Sequence, residues 1–106
     1  MKDKRYILQL IKKTVQQVEP DATVILYGSY ARGEEREDSD IDILILLDRD
    51  KERIPWSEEK KIFSPIGKIE IETNTTITPM IYSKKKWANH RVTPFFENVN
   101  REGVVL

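Results

Sequence analysis

The chain has 106 residues, with 18 lysines and arginines against 18 aspartates and glutamates. That length suits one domain with a modest core, and the charge balance argues against a nucleic-acid or membrane surface as its main partner. With no cysteine, disulfides and thiolate metal sites are excluded, in keeping with a reducing cytoplasm. The single histidine, His90, rules out a multi-histidine metal centre and would have to be the base of any serine triad. No apolar run reaches the roughly 20 residues that span a bilayer, and no signal-peptide core follows the charged start. Composition alone therefore predicts a small soluble cytoplasmic domain over residues 1–106.

Residues 3–18 place Ile7, Leu10, Ile11, Val15 and Val18 at helical spacing between lysines and glutamines, predicting an amphipathic helix that Pro20 ends. Residues 22–27 (ATVILY) are short, β-branched and bounded by Pro20 and Gly28, as a buried strand is. Residues 28–33 read as a tight turn into a short helix that Gly33 terminates. Residues 41–47 (IDILILL) are apolar on both faces beyond Asp42, the pattern of a central strand. The stretch 48–76 is less regular: Ser57 is a candidate cap for a helix, while Pro65 and Gly67 sit badly in a long one. The segment KIEIE (68–72) alternates like a strand, yet reads slightly better as the last helical turns before Asn74. Residues 76–83 (TITPMIYS) predict a third strand, with Pro79 implying an edge or bulge. Short helices are expected at 84–90 and 94–100, before Gly103 and the apolar end Val104-Val105-Leu106.

The unusual stretch is YGSYARGEEREDSDIDILI, residues 27–45. Residues two apart on a strand face the same way, so Asp40 and Asp42 project together about 6–7 Å apart. Two carboxylates at the mouth of an apolar core repel one another unless one is protonated or a cation lies between them. A hard cation such as Mg²⁺, with oxygen ligands from one or two carboxylates plus phosphates, resolves the conflict. The preceding strand–Gly28–Ser29–helix turn can present backbone N–H groups to an anion, and Gly28 lets a phosphate approach closely. Arg32 is a candidate for a phosphate contact or for a structural carboxylate pair. Neither G-x-x-x-x-G-K-[ST] nor G-x-G-x-x-G occurs, so a P-loop or dinucleotide fold is a poor explanation. The acids at 34, 35, 37 and 38 read as a solvated loop, with Asp38 a lesser candidate to assist the metal. The Lys84-Lys85-Lys86 run reads as a solvated helix start rather than a nucleic-acid site. Trp56, Trp87, Phe95 and Phe96 read as core or partner-facing residues.

The pattern Gly28-Ser29, ten residues, Asp40-x-Asp42 resembles the signature of the DNA polymerase β-like nucleotidyltransferase superfamily, and GSYARG…SDIDILI resembles its minimal nucleotidyltransferase branch. That resemblance implies an α+β fold, a short mixed sheet flanked by helices. It implies a nucleoside triphosphate held at Gly28 and Ser29, with Mg²⁺ carried by Asp40 and Asp42. The tail PFFENVNREGVVL resembles the end of short members that are antitoxins paired with a helical HEPN protein. The family usually adds a third carboxylate on a later strand. Here TITPMIYS has none, with Thr78 or Pro79 near that place, and Glu70 or Glu72 could substitute only if KIEIE were the third strand.

The expectation from the resemblance is a Mg²⁺-dependent transfer of a nucleoside monophosphate, AMP from ATP first among them, to a hydroxyl of a HEPN-type partner. Positioning and charge neutralisation would do most of that work. The alternative is a catalytically weak or inactive nucleotide-binding antitoxin that neutralises its partner by occlusion. A phosphate-ester hydrolase is a third, weaker reading. The edge implied by Pro79 leaves a homo-oligomer open.

Overall fold

In the computed structural model, which describes residues 4–106, α1 (Lys4–Val18), β1 (Thr23–Tyr27), α2 (Ser29–Arg32), β2 (Ile41–Leu47), α3 (Trp56–Thr73), β3 (Ile77–Ser83), α4 (Lys84–Ala88), α5 (Pro94–Glu102) and β4 (Val104–Val105) follow in order. The strands form one mixed sheet ordered β3-β2-β1-β4, an α+β arrangement flanked by helices as expected. Asp3, the expected start of the first helix, lies outside the described residues. Within α1 the buried residues are Ile7, Ile11 and Val15, four apart, so one stripe faces the sheet and the lysines face water.

Two cores sandwich the sheet. On one face Val24, Leu26, Ile41, Ile43, Ile45 and Leu47 meet the apolar stripes of α1 and α3. On the other, Leu44 and Leu46 meet Trp87 and Val99, flanked by Ile25, Tyr27, Tyr82, Phe95 and Phe96. β2 has apolar neighbours on both faces, which is why its sequence shows no alternation; β1, with one face less well covered, alternates in burial. An aromatic group fills the second core, with Tyr27 against Phe95 at 5.3 Å and Trp87 against Phe96 at 4.9 Å between ring centroids. Trp56, by contrast, is 63% exposed.

The middle of the chain corrects the local reading. α3 runs unbroken for 18 residues with Pro65 inside it, and it starts after Pro55 rather than at a Ser57 cap. A proline inside a helix removes one N–H and costs about 3 kcal/mol. Burying Ile62, Ile66 and Ile69 offsets this, at about 1.5–3 kcal/mol per fully buried side chain. KIEIE is helical: Ile69 is buried and Ile71 is 83% exposed, as residues two apart on a helix must differ. The helix ends on Asn74 in the left-handed conformation at φ 52°, so Glu70 and Glu72 are not on a strand.

β3 lies at the edge, parallel to β2, with Ile41 opposite Ile77, Asp42 opposite Thr78 and Ile43 opposite Pro79. The Ile41 N–H donates to Thr76 C=O at 2.9 Å. In a parallel ladder that pattern turns the backbone groups of Ile77 and Pro79 to the outer edge. Glu70 accepts the outward N–H of Ile77 at 2.9 Å, and Pro79 has no N–H to expose. The proline is thus tolerated where it costs no ladder bond, and the edge is blunted against a second strand. The fourth strand was not foreseen: Val104 and Val105 pair antiparallel with Leu26 and Ile25. No helix among the described residues is long and apolar enough to cross a membrane.

Replacing Glu70 by alanine removes a charged partner from a half-buried N–H, and is expected to lower unfolding free energy by about 1–2 kcal/mol, measured as a lower urea midpoint at unchanged slope.

Candidate active site

The antiparallel register sets Tyr27, the last residue of β1, opposite Asp42, so the backbone leaving β1 passes directly by that carboxylate. Gly28 makes the passage with φ 76° and ψ −155°, a combination essentially reserved for glycine. A β-carbon on Gly28 would collide with Asp42 Oδ2. The chain then coils into α2, with the Arg32 N–H donating to Gly28 C=O at 3.1 Å. Gly33 stops it in the left-handed region at φ 71°, as the sequence predicted. Ser29 is the first residue of α2, where backbone N–H groups have no preceding turn to bond to.

The loop back to β2 closes on itself. Ser39 Oγ accepts from the Arg36 N–H at 2.7 Å and the Ser39 N–H donates to Arg36 C=O at 3.1 Å. Ser39 is thereby a turn residue, and Asp40, expected on the strand, lies exposed just before it while Asp42, inside β2, is half-buried. Burial raises the Asp42 carboxyl above the ordinary carboxylate range, repulsion from Asp40 adds to it, and Arg32 partly counters both. Asp42 therefore feels the charges of both Asp40 and Arg32. Tyr27 is pushed up to about 12 by burial, then by Asp42 and Tyr82, and stays a neutral phenol.

Arg32 is held twice: its Nε donates to Glu34 at 3.0 Å and its Nη1 to Glu102 at 3.2 Å. Both contacts are surface ion pairs, so the guanidinium is placed but not buried. Glu102 was not singled out from the sequence. It lies 70 residues from Arg32, and no local pattern marks it. Tyr30 packs on the core with the Lys4 ammonium 4.9 Å from its ring centroid. His90 is far from this chemistry in role, its Nδ1 bonded to Lys86 C=O at 2.7 Å and its ring against Tyr82. A groove of about 940 Å³ opens beside the loop, lined by Lys4, Tyr30, Glu35, Ser39 and Thr75 among others, but neither Asp40 nor Asp42 lines it.

Among the described residues no three His, Cys, Asp or Glu side chains gather as a metal site. Glu70 is committed to Ile77, and Glu72 is exposed on α3. The residue across from Asp42 on β3 is Thr78, exposed and on the same face. The donor set still suits a hard cation. Two carboxylates that destabilise one another offer two oxygen-ligand groups, and such a cation completes its shell with phosphate and water oxygens.

The sequence pattern of the nucleotidyltransferase domain family matches residues 8–93. Two Methanocaldococcus jannaschii proteins are similar in sequence. "Putative protein adenylyltransferase MJ0141" is 35% identical over 100 residues, 92% of this chain and 93% of that one. "Putative protein adenylyltransferase MJ0604" is 34% identical over 83 residues, 78% and 75% of the two chains. A solved structure, "Crystal structure of the toxin-antitoxin with AMP-PNP", superposes with a TM-score of 0.55 over 98% of this chain and 72% of that one; at 16% identity the likeness is one of fold. The chain belongs to the nucleotidyltransferase domain family.

Gly28→Ala is expected to destabilise the fold by about 1–3 kcal/mol, from the left-handed backbone and the clash with Asp42, and calorimetric melting checks it. Asp42→Asn should act oppositely in metal-free buffer. The folded state raises this carboxyl, so it binds a proton more tightly than the unfolded chain, and stability falls as pH rises through the folded value. The asparagine variant should therefore melt higher than the parent at pH 7, with the gap closing below the ordinary carboxylate range.

Proposed function

We propose that this nucleotidyltransferase passes AMP from ATP to a hydroxyl on a partner protein, a HEPN-type toxin being the favoured partner. The observation that carries the proposal is the packing of the Asp42 carboxylate against the glycine-only turn at Gly28. An anion seated on that turn and a cation held by Asp42 would be immediate neighbours. Gly28 and Ser29 would receive the triphosphate tail through backbone N–H groups and the serine hydroxyl. Arg32 would add a charge-assisted contact to the same phosphates. Asp40 and Asp42 would hold Mg²⁺, which when bound neutralises phosphate charge and makes phosphorus more electrophilic. The acceptor hydroxyl would lose its proton to solvent as its oxygen bonds to the α-phosphorus and the bond to the bridging oxygen of the β-phosphate breaks, so that pyrophosphate leaves. The names of the two archaeal relatives support AMP and a protein acceptor, and the toxin–antitoxin neighbour supports a partner chain.

A second reading rests on Thr78. A threonine opposite Asp42 cannot take the acceptor's proton as a carboxylate would. On this reading the chain binds nucleotide and neutralises its partner by occlusion, without turnover.

Incubation with α-labelled ATP, Mg²⁺ and the partner separates the two. Transfer predicts label on the partner, stoichiometric pyrophosphate, and a loss of about 100-fold in Asp42→Asn. Supplying the missing acid in Thr78→Asp should raise the transfer rate. No label, together with neutralisation that survives Asp40→Asn and Asp42→Asn, would establish occlusion instead.

A further inference from the structure

The C-terminal elements lie largely beyond residues 8–93, which the family pattern covers, yet they grip the segment that carries the phosphate turn. Phe95 stands edge-on to Tyr27. Gly103 packs so tightly that a β-carbon would strike Val99 C=O and Ile25 Cγ2, while its N–H donates to Val99 C=O at 2.7 Å. β4 then pairs with Ile25 and Leu26, three and two residues before Gly28. Between these fixed points Glu102, the last residue of α5, reaches Arg32 Nη1 at 3.2 Å. The Glu102 side chain is 21% exposed against 64% for Glu34, the other partner of Arg32. The better-buried carboxylate, anchored on both sides by packing, has the less freedom to move. Glu34, whose backbone N–H is bonded to Ser29 C=O at 2.9 Å, extends a more exposed side chain.

From this geometry we infer that Glu102 is a positioning residue, holding the Arg32 guanidinium beside the Gly28-Ser29 turn so that it meets the phosphates of the nucleotide. The inference rests on the nucleotide site proposed above and extends it to the end of α5. Arginine is suited to such a role because its planar fork can bond a carboxylate on one side and a phosphate on another. Without Glu102, the side chain keeps only the solvent-exposed Glu34 pair and must be ordered at the moment of binding, at the expense of affinity.

The test is titration calorimetry of the full chain with ATP and with AMP in Mg²⁺ buffer. Glu102→Gln is expected to weaken ATP about fivefold and AMP hardly at all, so the ATP:AMP affinity ratio falls, as it should in Arg32→Gln. Glu102→Asp, which keeps the charge on a shorter arm, should recover part of the ratio. An ion pair this exposed contributes little to stability, so the melting midpoint should stay within about 4 °C. A merely structural role would lower the midpoint and leave the ratio alone. If Arg32→Gln lowers the ratio and Glu102→Gln does not, the positioning role is overturned while the nucleotide site stands. If the parent binds no ATP, the nucleotide site itself is wrong and the inference goes with it.

Discussion

The approach of the Asp42 carboxylate to the backbone at Gly28 is the contact on which the other features depend. The β1–β2 register puts the two side by side, and any side chain at that crossing would strain the backbone and displace the Asp42 carboxylate. The turn runs through a positive-φ glycine straight into α2, which brings the Arg32 charge close enough to act on the same carboxylate. Because Arg32 is there, Glu34 and Glu102 have a cation to bind. The loop through Ser39 then returns the chain so that Asp40, just before β2, lies near enough for its charge to act on Asp42. One steric constraint thus fixes the relative placement of turn, acids and arginine.

The electrostatics of this arrangement work against the fold. Asp42 is partly desolvated and repelled by Asp40, a cost retained where a site needs concentrated charge. The apolar remainder of β2, buried on both faces, compensates. A strand anchored so firmly beyond Leu44 can hold an unfavourable pair at its open end without shifting register. Slipping by one residue would send Ile43 and Ile45 to the wrong core.

Much of this was legible in the sequence where the cause is local. The stripe of Ile7, Ile11 and Val15, the apolar run of β2, the Gly33 stop and the glycine turn are set by neighbours in the chain, whereas Asp40, expected on the strand with Asp42, stands just before it. Legibility failed where distant packing overrides a local rule. Pro65 and Gly67 argue against a helix, but three isoleucines with a core to fill hold α3 together. Val104 and Val105 are a strand only because β1 offers them an edge. That Thr78 rather than Pro79 stands opposite Asp42 depends on a parallel register that no residue announces. Glu102 could not have been tied to Arg32 without the packing of α5 on Tyr27 and Ile25.

The flanks of the sheet carry a consequence for assembly. At β3 the outward N–H of Ile77 is occupied by Glu70 and Pro79 offers none; at β4 the strand is two residues long. The start of the β3 edge and the short β4 therefore offer a neighbouring strand few backbone donors. A partner meeting these parts of the sheet would be recognised through side chains, one position at a time. Such a surface is selective in a crowded cell, and it can drift to a new partner through single substitutions while the sheet beneath stays unchanged.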